Sequence, residues 1–194
     1  AREEHERRRQ HAAEGGDLAT FALFVVAGMP LDTRNEAGRP ALYVAVERGQ
    51  LDAVKMLLAA GADPDDAGQA ANPVLESEEN LVLKAVDLAD SAVLEALLAA
   101  GAPFDRPNRY GMTPLASAVA LGKADMARRL IAAGADVDHE PHPGIPILWT
   151  AVSMGHVDLV QLLIEAGADV GVHRADMVTS APSPEIADLL RRAP

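Results

Sequence analysis

One short phrase is written five times along the chain: FVVAGMPLD at 24–32, LLAAGADPD at 57–65, LLAAGAPFD at 97–105, LIAAGADVD at 130–138 and LIEAGADVG at 163–171. Its glycines, Gly28, Gly61, Gly101, Gly134 and Gly167, are spaced 33, 40, 33 and 33 residues apart. A period of that length belongs to stacked solenoids, in which no unit buries its own apolar face and each needs its neighbours. The expected product is an all-α stack of helix-turn-helix units.

The second repeat shows how a unit is built. Ala41 to Val46 leads to Gly49, and Leu51, Val54, Leu57 and Leu58 follow at helical spacing before Gly61. This predicts two antiparallel helices with a tight turn at Gly49. The same slots recur in register. Ala12, Ala45, Ala85, Ala118 and Ala151 hold one position of each first helix, next to Ala13, Val46, Val86, Val119 and Val152; Phe21, Val54, Leu94, Ala127 and Val160 hold the matching slot of each second helix. All are expected in the core, as are Phe24 and Leu58. The glycines closing the second helices suit a left-handed residue just past a helix end, where a side chain is strained.

Gly111-Met112-Thr113-Pro114-Leu115, followed by Ala118, Gly122 and LIAAGADVD, resembles the ankyrin repeat. Thr113 can cap the helix, and Pro114 suits its first turn, where a missing N–H is no loss. The resemblance covers nearly the whole chain. It implies an ankyrin-repeat solenoid with projecting β-hairpin or loop fingers: one domain, 1–194, with repeats near 1–33, 34–66, 75–107, 108–140 and 141–173, and a short capping helix within 174–194. The chain departs from the pattern where Pro40 and Pro146 replace the threonine, where Asn80-Leu81-Val82 opens the third repeat, and where Tyr43, Leu83, Ala116 and Trp149 fill the histidine slot.

The ends differ from the middle. Glu3, Glu4, Glu6, Arg7, Arg8 and Arg9 make the first helix charged, and Ser183-Pro184-Glu185-Ile186 opens a last one that closes on Arg191 and Arg192. Both ends are expected to be closed, as in a complete small protein. Between Asp65 and the third repeat seven residues are added, so residues 66–80 form an extended finger made acidic by Glu76, Glu78 and Glu79. A long loop on a rigid scaffold reads as functional, or as a variable surface segment.

A formal charge of −12 argues against binding a phosphate backbone, which needs clustered Lys and Arg. An acidic surface favours a partner with a basic surface, or simply keeps an Ala-rich stack soluble. No stretch reaches the roughly 18–20 apolar residues of a membrane-spanning helix. With no cysteine, disulfides and thiolate zinc sites are excluded. The start at Ala1 leaves a removed leader or a trimmed terminus open; a cytoplasmic location is favoured over a periplasmic or secreted one. Richness in Ala, Gly, Asp and Arg suggests a bacterial source.

Catalytic patterns are absent. His139-Glu140-Pro141-His142 has the wrong spacing for a helical zinc pair, and Pro141 and Pro143 forbid the helix, so a fingertip is expected there. Asp63, Asp136 and Asp169 recur in one turn and are expected to bond turn N–H groups. No nucleophile elbow or phosphate loop is present. No enzyme, cofactor, metal or small-molecule substrate is expected.

The ankyrin resemblance implies a protein partner, bound by fingertips and the inner surface of the first helices. The expected contact residues are Arg39, Arg109, Tyr110, Met112, His142 and Ile145 at the tips, Arg48, Asp87, Leu88, Leu121, Trp149 and Met154 on the first helices, and Glu76, Glu78 and Glu79 on the long finger. Tyr110, Met112, Leu121 and Met154 are apolar at slots expected to face solvent, the signature of contact anchors. Trp149 and Tyr43 instead read as braces between repeats. The resulting expectation is a non-catalytic binding module, monomeric when unbound, specifically a bacterial stoichiometric inhibitor or immunity protein. An adaptor scaffold, or a regulatory segment of a larger enzyme, is the alternative.

Overall fold

Among the residues described by the computed structural model, 31, 34, 38–66, 80–171 and 173–193, every regular element is a helix. The chain divides into two compact units, 1–103 and 104–194. Phe21, Phe24, Gly28, and the acidic Glu76, Glu78 and Glu79 lie outside the described residues.

The first unit contains α1 (Ala41–Glu47), α2 (Leu51–Ala59), α3 (Leu81–Leu88) and α4 (Ser91–Ala99). Each pair folds back on itself, and α1 then packs on α3 and α2 on α4, so hairpins stack side by side. The second unit repeats the arrangement with α5 (Pro114–Ala120), α6 (Ala124–Ala132), α7 (Ile147–Met154) and α8 (Val157–Glu165). It closes with α9 (Arg174–Ser180) and α10 (Pro184–Arg192), which pack on α7 and α8 respectively.

The periodic slots explain the packing. Ala45, Ala85, Ala118 and Ala151 are fully buried, and so are Val46, Val86, Val119 and Val152, and Val54, Leu94, Ala127 and Val160 on the second helices. A methyl group at the first of these slots lets neighbouring helices approach closely. Leu58 differs from expectation: it is half-buried, while Leu57 takes the core position. Both residues fit an apolar stripe, and only the helix rotation separates them.

Helix starts follow local chemistry. Thr113 Oγ1 accepts from the Ala116 amide at 3.2 Å, Ser183 Oγ from Ile186 at 3.3 Å, and Asp90 Oδ1 from Val93 at 3.0 Å. Asn80 accepts from the Leu83 amide, capping the third-repeat helix that departs from the threonine pattern. Pro40 and Pro146 precede α1 and α7 without a side-chain cap. The C-terminal cap is a helical pair rather than one helix. Arg174 to Ser180 forms its own element: Met177 is fully buried, as Ile186 and Leu190 are on the last helix, and the Arg174 guanidinium bonds the Ala193 carbonyl at 2.9 Å.

Candidate functional site

The aspartates of the repeated phrase act on the main chain. Asp63 accepts from the Asp65 amide at 2.9 Å, Asp136 from Asp138 at 3.0 Å and Asp169 from Gly171 at 2.7 Å, the turn role expected for them. In the second unit a further set links one turn to the next. Asp105 accepts from the Asp136 amide at 3.3 Å, and Asp138 from Asp169 at 2.7 Å. The corresponding slot of the third repeat is Pro103, which has no N–H to give.

These turns launch the fingers. In the first finger of the second unit, Asn108 Oδ1 accepts from the amides of Tyr110 (2.9 Å) and Met112 (3.1 Å), and the Gly111 amide donates to the Asn108 carbonyl at 2.9 Å. In the next, His142 pairs with Ile145 through an isolated bridge, and Glu140 accepts from the Gly144 amide at 2.8 Å. Both fingers are therefore tight turns, the second closed by a single bridge, rather than extended hairpins. They also lean on one another: His139 Nε2 lies 2.7 Å from the Gly111 carbonyl, donating a hydrogen bond. Gly111 has φ +77, and a Cβ there would sit 2.3 Å from the Pro141 carbonyl oxygen. Only glycine allows this approach.

Five large apolar side chains are exposed among the described residues: Tyr110 (63%), Met154 (60%), Leu121 (52%), Leu88 (45%) and Ile145 (41%). Leu88, Leu121 and Met154 occupy one slot, the end of each first helix. Tyr110 and Ile145 sit on the two adjoining fingers, and the Arg109 guanidinium lies 5.0 Å from the Tyr110 ring centroid. His142, Arg48 and Asp87 are exposed as well.

Three of the expected contact residues are half-buried. Met112 is half-buried, held where its finger enters α5. Trp149 is half-buried, with His173 edge-on at 5.5 Å, a bracing contact between successive units of the stack. Arg39 is half-buried in an internal network: it bonds Glu47 at 2.8 Å, Lys84 approaches the same carboxylate at 3.5 Å, and the Arg39 guanidinium covers the buried Tyr43 ring at 4.4 Å. The sequence hid this network because Arg39, Glu47 and Lys84 meet only once α1 and α3 are side by side.

Among the described residues there is no group of three metal-ligating side chains, and no helix is long and apolar enough to cross a membrane. What the surface offers is fixed turns, exposed apolar side chains and a few charges.

A family model described as ankyrin repeats (3 copies) matches residues 81–174, and one described as ankyrin repeats (many copies) matches residues 10–66. The chain belongs to the ankyrin repeat family. Curated relatives include ankyrin repeat domain-containing protein 63 of Homo sapiens, 38% identical over 104 residues, and that of Mus musculus, 36% identical over 104 residues. Each match covers 52% of this chain and about a quarter of the relative, 26% and 25%. Among solved structures, an ankyrin repeat domain from Acinetobacter baumannii aligns with a TM-score of 0.80 and 30% identity, covering 94% of this chain and 95% of that one. The ankyrin repeat domain of Bcl-3, described as a unique member of the IkappaB protein family, aligns with a TM-score of 0.62 and 25% identity over 93% of this chain and 96% of its own. Ankyrin repeats generally mediate protein–protein interaction, and this chain shares their fold.

Proposed function

We propose that this ankyrin chain is a non-catalytic module that binds a protein through its fingertips and the exposed ends of its first helices. The observation that carries the reading is the placement of the exposed large apolar side chains. All five fall on fingertip or first-helix slots, and none on the second helices. Scattered exposed apolar residues are ordinary; their restriction to fingertips and first-helix ends is what an interface leaves behind. Aromatic side chains are enriched among the few residues that dominate binding energy, which singles out Tyr110. Unbound, the chain is monomeric. The narrow form of this proposal is a one-to-one inhibitor or immunity protein, the broad form an adaptor; loss of an activity in the bound partner separates them.

The test is affinity capture from the cells that encode the chain, comparing wild type with Tyr110→Ala/Ile145→Ala. The double variant is expected to lose the retained protein while its melting temperature stays within about 2 °C, as surface substitutions do. Equal retention by both proteins would remove the fingertips from the interface.

A further inference from the structure

We propose that the fingertip patch of the second unit takes an acidic, apolar segment of its protein partner, with a partner carboxylate on the Arg109 guanidinium and an adjoining apolar side chain against Tyr110 and Ile145. This rests on the protein-binding reading above and narrows it to a contact chemistry. The whole-chain charge of −12 by itself points to a basic partner. The charges at the fingertips are arranged otherwise.

The carboxylates in and beside these two fingers are turned onto the main chain. Asp105 accepts from the Asp136 amide, Asp136 from Asp138, Asp138 from Asp169, and Glu140 from Gly144. Arg109 has no matching arrangement: no carboxylate among the described residues pairs with it, and its guanidinium instead lies over the exposed phenol ring of Tyr110. The first helices of this unit end in Ala120, Leu121, Ser153 and Met154, which add no charge.

A guanidinium is the side chain best shaped to take a carboxylate through two parallel N–H bonds. Stacked on an aromatic ring, it gives up less rotamer freedom when it does so. The tip is also held in place, by the His139 bond to the Gly111 carbonyl and the close seating of Gly111 on Pro141. An approaching Lys or Arg would meet Arg109 first; an Asp or Glu flanked by an apolar residue meets a cation and two apolar surfaces together.

The experiment is selection of random short linear peptides, displayed on phage, against the full chain at low salt. Wild type is expected to enrich sequences with Asp or Glu next to an aromatic or branched aliphatic residue. Synthetic copies of these peptides should bind Arg109→Glu about tenfold more weakly, and Arg109→Glu used as bait should enrich Lys and Arg instead. Tyr110→Ala should lose the apolar half of the motif, and Lys55→Ala, at an exposed second-helix position of the other unit, should change nothing. Enrichment of basic peptides by wild type overturns the inference. Peptides indifferent to both Arg109→Glu and Tyr110→Ala also overturn it while leaving the protein-binding reading intact; failure to enrich any peptide counts against both.

Discussion

Ala89 is the only non-glycine residue with positive φ among the described residues, at +58. It sits in the turn between α3 and α4, in the slot filled elsewhere by Gly49, Gly122 and Gly155, whose φ values are +64, +68 and +75. The third repeat therefore adopts the same turn without the residue that adopts it freely. A left-handed alanine costs about 1–2 kcal/mol, partly offset by the smaller entropy it loses on folding. Ala89→Gly is expected to stabilise the chain by about 0.5–1 kcal/mol in chemical denaturation. No gain, or a loss, would mean that its methyl group makes contacts worth more than the strain. The slot was readable from the repeat; the strain was not, because it arises only when the turn keeps its shape around the wrong residue.

Neighbouring apolar residues within a helix have unequal roles. Leu57 and Leu58 are adjacent in α2, yet Leu57 is buried and Leu58 stands at the rim. Leu57→Asp is expected to remove the cooperative unfolding transition of its unit, because an unpaired buried carboxylate costs several kcal/mol. Leu58→Asp, which can reach water, should leave a measurable transition at lower temperature. Circular dichroism melting of the two variants checks the assignment, and equal melts would place the stripe differently. The same distinction marks what the sequence could reveal. Fully buried slots repeat in every unit and are legible from period alone. Met112 and Trp149 lie on the boundary between core and surface, where composition is the same and only backbone direction decides. The cap at Asn80 follows ordinary helix-start chemistry, and Asp90 shows that the turn into a second helix can be capped as well.

At the scale of the whole molecule the dominant quantity is the net charge of −12. With no disulfide available, packing must outweigh this self-repulsion. The surface pairs Arg129–Asp125 and Arg191–Asp188 are exposed, and such pairs contribute about 0–1 kcal/mol each. Raising salt from low to physiological concentration is therefore expected to raise the melting temperature, because screening relieves repulsion more than it weakens these pairs. A fall would show that attractive pairs outweigh the excess charge. The sequence supplied this charge but not its distribution, since which carboxylates face amides depends on where each turn lies against the next. The aspartate bonds between turns carry a consequence of their own. Asp105 and Asp138 each serve an amide one module onward, so a module duplicated in frame would arrive with both halves of the joint already made, whereas Gly171, standing in the equivalent slot after the last aspartate, has no side-chain carboxylate to offer a successor. Growth by copying would be chemically seamless inside that run and would need a new acid residue to continue beyond it.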